Sequence, residues 1–189
     1  MKQKSIFIAV VALLILVFAG GVYMFNQQKT AQAERVLAQN RQLLVRADAP
    51  RVGNPNAPVQ IVEFFDPACG TCREFYPLVK KMMAENQGKI LLSMRYAPLH
   101  PGSDQVVKAL EAARRQGMFW QALETLFVSQ DQWVQNHRAS PDQALSQLAR
   151  MGLDMGQLQQ DMNSPEVARV IEQDIADGKA LNVSATPEY

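Results

Sequence analysis

Between Pro58 and Met83 the hydrophobic pattern changes period once, and the change falls on the chain's only two cysteines. Residues 58–65, Pro-Val-Gln-Ile-Val-Glu-Phe-Phe, are apolar, β-branched and aromatic, the composition of a buried strand. After Cys72 the apolar residues Phe75, Val79, Met82 and Met83 recur at steps of three and four, which predicts a helix starting at or near Gly70. A chain patterned this way folds with Cys69 at a strand-to-helix junction and Cys72 one turn into the helix.

Two thiols with two residues between them can close a small disulfide or open to a dithiol. At the head of a helix the unpaired amides and the positive end of the dipole favour an anion, so Cys69 should ionise below the free-thiol value of about 8.5 and act as nucleophile. Cys72, three positions on, lies over the same helix face toward the sheet and should be the shielded resolving thiol. A purely structural disulfide is the competing reading, but a loop this short removes little chain entropy.

The strand, the Cys69-Gly70-Thr71-Cys72 motif, the helix and a distant Thr186-Pro187 together resemble the thioredoxin superfamily. The run Gly53-Asn54-Pro55-Asn56-Ala57-Pro58 leading into Glu63-Phe64-Phe65-Asp66 is similar to its DsbA-like branch, and the resemblance covers about residues 51–189. It implies an α/β thioredoxin-like fold with an inserted all-helical subdomain, and a protein thiol:disulfide oxidoreductase that needs no cofactor. It also implies protein substrates carrying cysteine thiols or disulfides, with a DsbB-like or DsbD-like membrane redox partner. The family's fold continues past the proline with a strand hairpin and a final helix, whereas this sequence reaches Tyr189 two residues after Pro187, so those elements are expected to be missing, the sequence being either a fragment or a compromised product.

Two further site residues follow. Glu63 sits six residues before Cys69 between apolar neighbours, where a carboxyl group would be poorly solvated and its pKa raised. Periodicity alone equally admits a glutamate pointing out at a sheet edge; the resemblance implies the superfamily's buried acid, passing a proton to or from Cys72. Pro187 matches the superfamily's cis-proline loop, which packs against the disulfide and offers backbone to the substrate. Asp66-Pro67 reads only as a turn. The dipeptide Gly70-Thr71 has neither the histidine of Pro-His nor the proline of Gly-Pro, yet the DsbA-like insertion points to an oxidase; reductase or isomerase action by the same residues stays open.

Toward the N-terminus, Lys2 and Lys4 precede some twenty uncharged residues, 6–25, enough to span a bilayer as a helix with the lysines on the cytoplasmic side. A cleaved signal peptide competes, because Ala31-Gln32-Ala33 has the form of a cleavage site, although the apolar run is longer than such peptides use. Either reading puts the domain in an oxidising compartment, the extracytoplasmic side of a bacterial inner membrane, where disulfide chemistry persists. The expected organisation is a cytoplasmic tail at 1–5, a transmembrane anchor at 6–25 and a polar, helical stalk at 26–50. Thioredoxin-like segments follow at 51–102 and 182–189, with the helical insertion at 103–181.

Within that insertion the punctuation is legible. Ser103 is expected to cap a helix ending at Gly117; residues 118–128 make a second. Ser140-Pro141-Asp142-Gln143 has the form of a capping box, a short helix falls near Gln157, and Ser164-Pro165 opens the last, carrying Val167, Val170, Ile171 and Ile175. A formal net charge of +1 gives no electrostatic case for nucleic acid. A metal site would use Cys69 and Cys72 with His100 and His137, but the histidines are far apart and lack zinc-finger spacing; for a copper variant the nine methionines are scattered, with Met82-Met83 explained as helix core.

Overall fold

Residues 51–96 carry two segments patterned for strands around one patterned for a helix, and the computed structural model turns them into a sheet with that helix as the crossover. The structure describes residues 2–189, apart from the side chains of residues 2–16, 31–33, 36, 37 and 39. The chain divides into two compact units, Met1–Gln42 and Leu43–Tyr189. The first is made of most of α1 (Lys2–Leu44), a continuous 43-residue helix. The anchor expected over residues 6–25 falls in large part on side chains outside the described residues. Among the described residues, no helix is long and apolar enough to cross a membrane.

In the second unit, β2 (Val59–Phe65) pairs in parallel with β3 (Ile90–Tyr96), from Val59 opposite Ile90 to Phe65 opposite Tyr96. The parallel pairing needs a crossover, and α2 (Gly70–Glu85) supplies it, running through Pro77 to a stop at Asn86 and Gly88. The proline- and glycine-rich lead-in is not wholly irregular: Arg51–Gly53 forms β1, antiparallel to β3, giving the order β1-β3-β2. Gly53 is required there, because its φ is +110° and a Cβ would run into the Ile90 carbonyl oxygen.

Strand alternation sorts side chains onto two faces. Phe65, Leu92, Met94 and Tyr96 join Cys72, Tyr76 and Val79 of α2 in the main core. Phe64 and Arg95 point the other way, toward α8 (Pro165–Ala180), where Gly178 lies against the Phe64 ring. The fully buried Arg95 guanidinium bonds Asp174 and Asp177, each at 2.6 Å, and the carbonyls of Leu43 and Leu44 at 2.7 and 3.0 Å. Residues 43–44 are therefore fastened to the unit that follows them, ahead of the expected stalk boundary at residue 50.

Between β3 and α8 lie α3 (Ser103–Arg115), α4 (Phe119–Val128), α5 (Gln130–Trp133), α6 (Pro141–Leu148), a 3-10 turn (Ala149–Met151) and α7 (Met155–Met162). The block is not purely helical: β4 (Val134–Gln135) and β5 (Arg138–Ala139) form a two-residue hairpin. Ser103 is the first helical residue rather than the cap, and its hydroxyl donates to Asp66 at 3.0 Å. Ser140 precedes α6 without a side-chain capping bond. Asp154 and Ser164 do cap, accepting from the amides of Gln157 and Val167. Of the apolar residues that α8 carries, Val167, Val170 and Ile171 are buried and Ile175 is exposed.

Candidate active site

The loop between β2 and α2 is a turn tied off by its own first residue. The Asp66 carboxylate accepts the Ala68 amide at 2.8 Å, and the Asp66 carbonyl accepts the Cys69 amide at 3.0 Å. This brings Cys69 to the N-cap of α2, with its sulfur accepting the Cys72 amide at 3.4 Å. Cys69 keeps 5% of its surface exposed and Cys72 none; both are free thiols.

The two sulfurs are driven apart in acidity. The Cys72 thiol, donating to Cys69, lowers the Cys69 pKa to about 5; burial opposes this, while the Thr186 side chain and the amides of Cys72 and Thr71 assist. The amides at the helix head thus act as expected, but the neighbouring thiol contributes more. The same contact, together with burial, pushes Cys72 far above the ordinary thiol value, so one group is the anion and the other holds the proton.

After α8 the chain returns to this centre. Glu188 forms an antiparallel bridge to Phe64, with N–H to carbonyl distances of 2.8 and 3.0 Å. This holds Thr186-Pro187, joined by a cis peptide bond, against the helix head. The Cys69 thiol lies 3.2 Å from the Thr186 carbonyl, to which it donates when protonated.

Glu63 points inward. It is 1% exposed, on the β2 face shared with Phe65, and its Oε2 has no hydrogen-bond partner. Burial raises its pKa to about 7; the Tyr189 hydroxyl beside it opposes the rise, and the Cys69 charge adds to it. A carboxyl group of this kind can give or take a proton near neutrality.

Asp66 is more than a turn residue. Its fully buried carboxylate also accepts the His100 amide, His100 Nδ1 and the Ser103 hydroxyl. From the other side, buried Gln130 donates to the carbonyls of Pro67 and Cys69 at 2.8 and 3.1 Å. The active-site turn is therefore gripped by α3 and α5, both parts of the helical insertion.

This is the architecture of one family, and a family model described as thioredoxin matches residues 46–188. The chain belongs to the thioredoxin family. A thioredoxin-like oxidoreductase from Silicibacter pomeroyi DSS-3 is 33% identical, with a TM-score of 0.67 over 78% of this chain and 82% of that one. The fold is shared at lower identity with alpha-DsbA1 of Wolbachia pipientis (22%, TM-score 0.67, 78% and 76% covered) and with BdbD of Bacillus subtilis (24%, TM-score 0.63, 74% and 78% covered). The first of these sets the chain beside a thioredoxin-like oxidoreductase, and the other two show a shared fold. Among curated relatives, the Na(+)/H(+) antiporter NhaA of Herminiimonas arsenicoxydans is 29% identical over 137 residues, which is 72% of this chain and 21% of the antiporter. The chain thus spans about a fifth of the length of that relative.

In this thioredoxin-family site Cys69, Cys72, Glu63 and Pro187 converge. Asp66 and Gln130 escaped sequence reasoning because their partners lie 34 to 63 residues away. His100 and His137 stack on each other with ring centroids 6.1 Å apart. Among the described residues, no group of three or more histidine, cysteine or acidic side chains is gathered to hold a metal ion.

Proposed function

We propose that the protein catalyses thiol–disulfide exchange on extracytoplasmic proteins, chiefly in the direction of disulfide formation. A substrate thiolate attacks Cys69 of the Cys69–Cys72 disulfide; a mixed disulfide forms and Cys72 leaves as a thiolate, taking a proton from Glu63. A second substrate thiolate then attacks the substrate sulfur of that mixed disulfide, closing the substrate disulfide and releasing Cys69 as a thiolate. The substrate loses two electrons and the enzyme gains them. A DsbB-like membrane oxidant is the partner that would take them on.

The observation that carries this reading is the Cys69 sulfur, held near pKa 5 beside a fully buried Cys72. A thiolate that stable is a good leaving group and favours the reduced enzyme, as an oxidase requires. The segment at residues 6–25 serves as a single-pass anchor in the bacterial inner membrane, with Lys2 and Lys4 on the cytoplasmic side and the catalytic unit outside.

A Cys72→Ala form expressed in its own cells tests the chemistry: it should accumulate covalent adducts that reducing agent releases, and a clean monomer on non-reducing gels would overturn the reading. Direction is tested with a reduced two-cysteine peptide, which the oxidised wild type should close. Failure to close it, alongside efficient reduction of insulin, would reverse the assignment to a reductase.

A further inference from the structure

We infer that His100 is a positioning residue for the redox centre, acting on Cys69 through the carboxylate of Asp66. The inference rests on the exchange reading above and deepens it by naming a residue that helps to sustain the Cys69 anion.

Asp66 touches both halves of the motif. Its carbonyl takes the Cys69 amide, its carboxylate takes the Ala68 amide, and its own amide faces the Cys72 sulfur. Whatever fixes Asp66 therefore fixes the turn that aims the helix head at Cys69. Three donors converge on Asp66 Oδ2, and all come from the segment just after β3: the His100 amide and Nδ1 at 2.8 Å and the Ser103 hydroxyl at 3.0 Å. An ionised carboxylate only accepts, so Nδ1 carries the hydrogen in this pair.

The His100 ring is itself held. His137, at the tip of the β4–β5 hairpin, stacks on it with an interplanar angle of 22°. The hairpin is fastened to the same segment, since the Ala139 amide donates to the Pro101 carbonyl at 2.9 Å. Gly102, at φ +86°, allows that approach: a Cβ would lie 2.6 Å from the Ala139 oxygen. The insertion thus adds Ser103 to the donors on the carboxylate and, through His137, a brace behind His100.

Removing the Nδ1 donor slackens the turn that Asp66 ties to the Ala68 and Cys69 amides, and with it the placing of the Cys69 sulfur against the helix-head amides that support the thiolate.

The test is the ionisation of Cys69 in the reduced full-length protein, followed by thiolate absorbance across pH, with the reduction potential measured against glutathione. In His100→Ala the Cys69 pKa should rise by about half a unit or more, roughly threefold in the thiolate-to-thiol ratio, and the potential should become more reducing. His100→Asn, which restores a donor near the Nδ1 position, should return both toward wild type. Ser103→Ala, which deletes another donor to the same oxygen, should shift both as His100→Ala does, and it keeps the test available if His100→Ala fails to fold.

An unchanged Cys69 pKa in His100→Ala, with only the melting temperature lowered, would reduce His100 to a structural contact and overturn the inference while leaving the exchange reading intact. Equal shifts in the Ala and Asn variants would overturn it as well. A wild-type Cys69 that titrates like a free thiol would instead sink the exchange reading, and this inference with it.

Discussion

Replacing Glu63 with glutamine deletes an ionisation while keeping the side chain's size, so it isolates what the buried charge costs the fold. In the folded protein the Glu63 pKa rises from an ordinary 4.5 to about 7, chiefly because burial disfavours the carboxylate. The difference corresponds to about 3 kcal/mol at roughly 1.4 kcal/mol per pH unit. A carboxyl group with a raised folded pKa binds more protons folded than unfolded between those two values, so stability falls as pH climbs through that window. The penalty starts near the unfolded value of 4.5 and is complete above about 7.

Urea unfolding of the oxidised protein, followed by circular dichroism at a series of pH values, reads this directly. In the disulfide form neither cysteine titrates, and only the smallest of the three influences on Glu63, the Cys69 charge, is lost. The stability of Glu63→Gln relative to wild type should gain on the order of 3 kcal/mol between about pH 4.5 and pH 8. Over the same window the variant should lose the pH dependence of the resolving step. A stability difference that does not change with pH would refute the reasoning, because it would mean that Glu63 ionises in the fold as freely as in the unfolded chain.

Two other substitutions probe what positions the site. Arg95→Ala leaves buried Asp174 without its bonded cation and Asp177 with only Arg46, 3.7 Å away, and should cost about 3–5 kcal/mol in urea unfolding; a loss below about 1 kcal/mol would show that water or Arg46 takes over the pairing. Gly53→Ala forces a side chain into a left-handed backbone against the Ile90 carbonyl and should lower stability by on the order of 1–3 kcal/mol, measured as a shift in denaturant midpoint at constant slope.

What was legible in the sequence is what neighbours in sequence decide. The Val59–Phe65 strand, the start of α2 at Gly70 and the parallel strand Ile90–Tyr96 follow from local periodicity. The inward aim of Glu63 needed the family resemblance, because alternation alone leaves a strand glutamate free to face either way. The strand at Arg51–Gly53 was hidden in a proline- and glycine-rich stretch, since its pairing is dictated by β3 some 40 residues on. Asp66 read as a turn because one of its carboxylate's four bonds is a turn bond; the other three come from His100 and Ser103, which only the tertiary fold brings near. Ser103 has the composition of a cap and spends its hydroxyl on that carboxylate instead. Helical spacing groups Ile175 with Val167, Val170 and Ile171 but does not say how wide the covered face is: Ile175 borders an open cleft of about 550 Å³ with Tyr96, Leu99 and Val183.

The acidity of Cys69 does not make it a faster attacker, and that bears on direction. At pH 7 a thiol of pKa about 5 is almost wholly ionised, some thirtyfold more than a free thiol of about 8.5. Intrinsic nucleophilicity falls with pKa along a slope of about 0.4–0.5, so the same change of about 3.5 units weakens attack by roughly thirtyfold. The two nearly cancel. What survives is thermodynamic: ionisation stabilises the dithiol about a hundredfold at pH 7, equivalent to about 60 mV for a two-electron couple. Cys69 also becomes the better leaving group when a substrate thiolate resolves the mixed disulfide. Both effects favour handing a disulfide to the substrate over taking one away. Any contact that sustains the Cys69 anion, the Asp66 turn and its His100 partner included, therefore acts on the position of the exchange equilibrium more than on its rate.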